Sequence, residues 1–195
     1  MTVLIAQHTK EKIILGADTG TFYGSFIKHV SNHKGRMKIM TINDITYSAC
    51  GSVAESINFG LYCQTRKPER NDQLGIQRFF VDFGKWLKEQ NIEANGKIEN
   101  NYFLVFEKKL FFYGYGATNE ILEDDFAVDG AGFKEAYMAM HLGKSVKEAI
   151  DLTVQMNVWT SGEAQIVEIS KQIGGTEEKL PPFINKPKPT DQKCL

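Results

Sequence analysis

Long apolar runs are missing from this chain. No stretch approaches the roughly 20 consecutive residues that cross a bilayer. The opening MTVLIAQHTK lacks the basic segment, apolar core and small-residue cleavage site of a secretory leader. Cysteine is scarce: Cys50, Cys63 and Cys194 are an odd set with no CxxC or Cys/His metal spacing, which argues against a disulfide framework or a zinc site and for a reducing, cytoplasmic setting. Charge of one sign is lacking as well. Lys+Arg 23 against Asp+Glu 24 leaves a formal net charge of -1, so the usual electrostatic drive toward nucleic acid or an anionic membrane is absent. Proline is sparse until Pro181, Pro182, Pro187 and Pro189, which with Lys179, Lys186, Lys188 and Lys193 predict an extended tail over residues 174–195. No GxSxG, phosphate loop, GxGxxG turn or HExxH occurs, and His8, His29, His33 and His141 are too scattered to form a metal or catalytic cluster.

What is present is the material of one core. With 195 residues, 42% hydrophobic and 24% charged, the chain fits a single globular domain over residues 1–173. VLIAQ from Val3, IILGA from Ile13, FIKHV from Phe26, KIMTI from Lys38 and ITYSA from Ile45 read as five successive strands of an antiparallel sheet. Ser52 with Glu55 predicts a capping box ahead of a helix whose Ile57 and Leu61 share a face. Ile76, Phe79, Phe80, Phe83, Trp86 and Leu87 form a broad stripe on a second helix between Asp72 and Glu89. NYFLVF, a turn at Glu107-Lys108-Lys109 and LFFYGYG predict a hairpin. A third helix runs from near Lys134 to His141, a fourth starts at Ser145 with Glu148 completing a second capping box, and AQIVEIS closes as a strand. Runs of strands followed by runs of helices favour an α+β layered sandwich over a doubly wound parallel sheet.

Thr2 follows Met1, and a small second residue permits removal of the methionine. A chain that begins with threonine carries a hydroxyl nucleophile and, on the same residue, an α-amine that titrates near ~7.7–8.0 and can act as its base. The spacing around Thr2 resembles the proteasome β-subunit family and its bacterial relative, the threonine peptidase that partners an AAA+ unfoldase. Asp18 lies sixteen positions on, in LGAD; Lys38 stands in RMKIMTI; Cys50-Gly51 ends ITYSACG before the SVAES helix; DGAGFKEAYMA and SVKEAIDLTVQ extend the likeness to about residue 170. The resemblance implies a four-layer αββα sandwich of two antiparallel sheets between helix layers, the N-terminal nucleophile hydrolase type. It implies Thr2 as nucleophile, Lys38 lowering its proton affinity, Asp18 orienting and balancing Lys38, Gly51 offering a backbone N–H to the oxyanion and Ser161 assisting. Thr21, Met40, Ala49 and Val53 would line a small, uncharged specificity pocket. Lys34 rivals Lys38, because it sits at the uninserted family spacing, whereas Lys38 requires a four-residue insertion between Phe26 and Lys38; the following KIMTI strand favours Lys38.

The departures are specific. The family's Gly-Ser-Gly segment reads Gly130-Ala131-Gly132 here, removing a hydroxyl beside the N-terminal amine, with the preceding Asp129 as the expected support in its place. An aspartate three residues before the Ser-Gly pair is replaced by Val158, with Asn157 beside it, and VQMNVWTS looks closer to the bacterial relative. By that likeness, backbone carbonyls of the 157–160 loop would bind a monovalent cation, with no cofactor needed for hydrolysis. The implied activity is endopeptidase cleavage of peptide or unfolded polypeptide in a self-compartmentalised homo-oligomeric ring, with an AAA+ unfoldase as partner and no nucleic acid or membrane. Two other readings stand beside it: a catalytically inactive ring subunit, and an amidohydrolase acting on a small amide.

Overall fold

The computed structural model describes residues 2–23, 26–28, 38–93 and 95–171, the side chains of residues 21–23 and 26–28 excepted. Strands β1 (Val3–His8), β2 (Lys12–Asp18), β10 (Asp125–Gly130) and β11 (Ala164–Ser170) form an antiparallel sheet in the order β10-β1-β2-β11. Strands β5 (Ile39–Ile42), β6 (Ile45–Cys50), β7 (Asn101–Phe106), β8 (Lys109–Gly114) and β9 (Ala117–Ile121) form a second, in chain order. β3 (Thr21–Tyr23) and β4 (Phe26–Lys28) pair with each other. The helices are α1 (Val53–Thr65), α2 (Gln73–Glu89), α3 (Phe133–His141) and α4 (Val146–Met156).

The period-two alternation of the strands makes the layers. Val3 and Ile5 of β1 pack against Ala136, Ala139, Ala149 and Ile150 of α3 and α4, while Leu4 and Ala6 face the other way. There they meet Phe103 and Val105 of β7 in the space between the sheets. Tyr102 and Leu104, the alternate residues of β7, pack under Phe59 of α1 and Phe79, Phe80 and Phe83 of α2. Helices, sheet, sheet, helices is therefore the observed order, and the expected αββα sandwich is present. At Gly16 a Cβ would stand 2.4 Å from Val146 and 2.6 Å from Ile150, so glycine lets α4 lie directly on β2.

The structure corrects several expectations. The first strands do not share one sheet: β1 and β2 belong to one layer, β5 and β6 to the other. β9 and β10 were not expected. β9 is the polar edge ATNEI, entered through a two-residue turn at Tyr115 and Gly116 with φ of 54° and 81°, and its alternation is too weak to mark a strand by itself. Around α1, Ile57 and Leu61 are 39% and 48% exposed, and the buried face is Phe59, Gly60, Tyr62 and Cys63. Ser52 caps α1, but Glu55 does not return to it. The Glu55 carboxylate accepts the backbone N–H groups of Glu99 and Asn100 and the Tyr102 hydroxyl, tying α1 to the start of β7. The second capping box is complete, with Ser145 and Glu148 bonded reciprocally. Ser145→Ala is expected to lower stability by about 1 kcal/mol, read from urea unfolding, with no change in the site at the other end of β1. The 174–195 tail, Lys34, His29, His33 and Cys194 lie outside the described residues.

Candidate active site

The site lies where β1 and β2 end beside the second sheet. Asp18 is the last residue of β2, flanked by β1 and β11, and is completely buried. A buried carboxylate must be hydrogen-bonded and charge-compensated. Asp18 Oδ1 accepts the Val3 N–H at 2.9 Å and the Lys38 ammonium at 2.7 Å, and Oδ2 accepts the Ser161 N–H at 3.2 Å. One carboxylate thus fixes the start of β1, the 160s loop and the lysine together.

Lys38 precedes β5, and its Nζ donates to Thr2 Oγ1 at 2.9 Å. Burial pushes the Lys38 pKa down, and the Asp18 charge and hydrogen bond oppose that. The lysine is aimed by a residue that the sequence reading missed. Gln165 of β11 accepts the Lys38 and Ile39 N–H groups through Oε1 at 2.9 and 3.3 Å, and its Nε2 donates to the Ile39 carbonyl at 3.0 Å. The only signal for Gln165 in the sequence was a polar residue in the otherwise strand-like AQIVEIS.

Thr2 is 8% exposed and held from the other side by β10. Its carbonyl accepts the Ala131 N–H at 2.7 Å. Gly130, at φ 97°, lies so close that a Cβ there would stand 2.1 Å from the Thr2 carbonyl oxygen. Ser161 is also buried, its carbonyl accepts the Gly20 N–H at 2.7 Å, and its Oγ has no hydrogen-bond partner among the described residues. A Cβ at Gly20 would stand 1.9 Å from that oxygen.

A cleft of about 580 Å³ opens beside Thr2. Cys50 and Gly51 line it from β6, Val128, Asp129, Gly130 and Ala131 from β10 and the turn after it, and the exposed Tyr115 and half-exposed Phe133 stand at its mouth. Larger clefts of about 710 and 940 Å³ run along α2 and do not include Thr2; the second shares Tyr115 with the Thr2 cleft. Gly51 has φ 134°, and the turn it makes is set by Asn100, whose side chain bonds both the N–H and the carbonyl of Ser52. The Cys50 thiol is pushed up to about 11, mainly by burial and then by the nearby Asp129 charge, so it is a neutral thiol at pH 7 and a poor nucleophile.

The sequence reading's Thr2, Asp18, Lys38 and Ser161 are brought into one hydrogen-bonded neighbourhood, and Gly51 shares the cleft with Thr2. Of the pocket residues, Met40 and Ala49 pack toward the α1–α2 side, with half-buried Val53 opening α1; none of the three lines the Thr2 cleft. The Thr21 side chain lies outside the described residues. In the 157–160 loop the Asn157 carbonyl accepts both the N–H and the hydroxyl of Thr160, at 3.3 and 3.2 Å. Both contacts fall on that one carbonyl, and the proposed reaction uses no cation at this loop. Among the described residues no three His, Cys, Asp or Glu side chains cluster to hold a metal ion, and no helix is long and apolar enough to cross a membrane.

No protein-family model and no curated protein sequence matches the chain. Solved structures do resemble it. Thiobacillus denitrificans BPH in complex with epoxomicin superposes with a TM-score of 0.75 at 17% identity, over 89% of this chain and 100% of that one. HslV of Trypanosoma brucei gives 0.65 at 16% identity, over 86% and 99%. Anbu of Pseudomonas aeruginosa, solved as a helical assembly, gives 0.62 at 12% identity, over 86% and 81%. At these identities the likeness establishes the fold: the chain shares the αββα sandwich of BPH, HslV and Anbu.

Proposed function

We propose that the chain is a threonine-type endopeptidase whose nucleophile is Thr2, exposed by removal of Met1, and that it degrades unfolded polypeptide inside a self-compartmentalised homo-oligomeric ring. The observation that carries this reading is the Lys38 ammonium set between the Thr2 hydroxyl and the buried Asp18 carboxylate, at 2.9 and 2.7 Å. A cation donating to Oγ1 stabilises the alkoxide character that develops as the hydroxyl attacks. The Thr2 α-amine takes the hydroxyl proton as the bond to the scissile carbonyl forms, and returns it to the leaving amine nitrogen when the C–N bond breaks. Gly51 supplies its N–H to the oxyanion, and Ser161 assists at the Thr2 end. The neutral thiol of Cys50 supports threonine over cysteine as nucleophile.

The P. aeruginosa Anbu assembly supports self-association in this fold. Ring closure, an AAA+ unfoldase partner and a cytoplasmic setting belong to the proposal. Hydrolysis of fluorogenic peptides by the purified chain, lost in Thr2→Ala, tests it; equal turnover by the two would overturn it.

The inactive-subunit reading is favoured by one observation: Ala131 bonds Thr2 only through its backbone and brings no hydroxyl to the N-terminus. Under the peptidase reading Ala131→Ser is expected to raise kcat several-fold, read under saturating peptide. An unchanged kcat removes the inferred defect.

A further inference from the structure

Asp129 is a half-buried carboxylate with one shielded oxygen that no described residue pairs. Its Oδ2 is shielded from solvent and makes no hydrogen bond among the described residues, although it lines the same cleft as Thr2. An unsatisfied buried carboxylate oxygen is costly, so a donor is expected to face it in the working protein.

The register says which donor. β1 and β10 pair with Val3 opposite Gly130 and Leu4 opposite Asp129, and the Ala131 N–H bonds the Thr2 carbonyl one step further on. Val128 and Phe126 of β10 pack toward α3 and α4 while Ala127 faces the inter-sheet core, so Asp129 falls on the inter-sheet face, the face of Leu4 and Thr2. Diagonal neighbours on one face of an antiparallel pair are within side-chain reach. The other charged or titratable groups around Thr2 are Lys38 ahead of β5, Asp18 on β2, Cys50 on β6 and Tyr115 at the cleft mouth; α3 sends Phe133, while its Glu135 is engaged by Asn157. Asp18 already accepts three donors. Among the described residues around Thr2, Asp129 is the carboxylate with an oxygen that accepts no hydrogen bond.

We infer that Asp129 receives the α-ammonium of Thr2 once Met1 is removed, holding it in place of the hydroxyl that Ala131 lacks. This rests on the N-terminal threonine reading. Asp129 takes no proton itself; it stabilises the ammonium formed when the amine accepts the Oγ1 proton, and the proton then passes to the leaving amine. It therefore opposes Lys38, whose positive charge favours the neutral amine.

The test uses the full chain beginning at Thr2, with 15N-labelled threonine. The pKa of the Thr2 amine is read by NMR, and kcat against pH is followed with a fluorogenic peptide. Asp129→Asn is expected to lower the amine pKa by about one unit, to move the acid limb of the pH profile down with it, and to reduce kcat about tenfold. Adding Ala131→Ser to Asp129→Asn is expected to restore part of kcat without restoring the amine pKa, since a hydroxyl brings a hydrogen bond but no charge. An unchanged amine pKa in Asp129→Asn overturns the inference, as does a loss of activity confined to substrates with basic side chains. Wild-type protein with no turnover but an amine pKa that responds to Asp129→Asn would instead overturn the peptidase reading alone.

Discussion

Lys38→Met is expected to lower kcat/KM for peptide hydrolysis by about 10³-fold, with most of the loss in kcat. Methionine keeps much of the side-chain volume but removes the ammonium that donates to Thr2 Oγ1 and pairs with Asp18. The loss falls on the step in which the hydroxyl gives up its proton, so KM changes little. Stability falls as well. Asp18 is completely buried, and without Lys38 its charge is left, among the described residues, with the Val3 and Ser161 N–H groups, on the order of 3 kcal/mol of destabilisation at pH 7. Lys38→Met/Asp18→Asn is expected to recover much of that stability and none of the activity. A double variant as unstable as Lys38→Met would mean that the ion pair is not what joins the site to the fold.

Gly130→Ala adds one methyl group and no chemistry, yet about a 100-fold loss of activity is expected from it. The backbone at Gly130 has φ 97°, which an L side chain rarely adopts, and the added Cβ would meet the Thr2 carbonyl oxygen at 2.1 Å. β10 must then withdraw from the start of β1, weakening the Ala131 bond that holds Thr2. Destabilisation of about 2–4 kcal/mol should accompany the loss, measured by urea unfolding. Gly116→Ala is the control: its φ is 81° but nothing lies within 4 Å of the added Cβ, so backbone strain is matched without the clash. Equal activity losses in the two variants would show that strain alone, and not displacement of Thr2, is responsible.

The layers were legible because burial imposes simple periodicities. The aromatic stripe from Ile76 to Leu87 and the alternation in VLIAQ and NYFLVF each have one face that must be covered, and the structure covers it. Sheet membership was not legible. Two successive strands with good alternation fit one sheet or two equally well, and which occurs depends on contacts distant in sequence. α1 misled for a related reason: Ile57 and Leu61 have the right spacing, but aromatic Phe59 and Tyr62, with Gly60 allowing close approach to Tyr47, win the buried face.

The same division holds at the site. Thr2 was marked by its place after Met1, and Asp18 and Lys38 only through the resemblance to the proteasome β-subunit family; the structure places the three in one hydrogen-bonded group. Gln165, Asn100 and Gly20 were not found. Each works on another residue's backbone, Gln165 on Lys38 and Ile39, Asn100 on Ser52, Gly20 on Ser161, and such a bond leaves no pattern in the sequence around it. Asp129 was noticed only as a neighbour of Ala131. Its importance appears once β10 is seen to pair with β1 and to turn it into the Thr2 cleft.

The central claim is that Thr2 carries a free amine and a reactive hydroxyl, and the intact mass of the natively expressed chain, before and after a threonine-directed electrophile, tests it most directly. The account predicts a chain lighter by one methionine that gains one equivalent of the electrophile, located on Thr2 by peptide mapping and absent in Lys38→Met. Quantitative retention of Met1 would contradict it, because a nitrogen held in a peptide bond cannot take the hydroxyl proton, and the chain would then keep the fold without the chemistry.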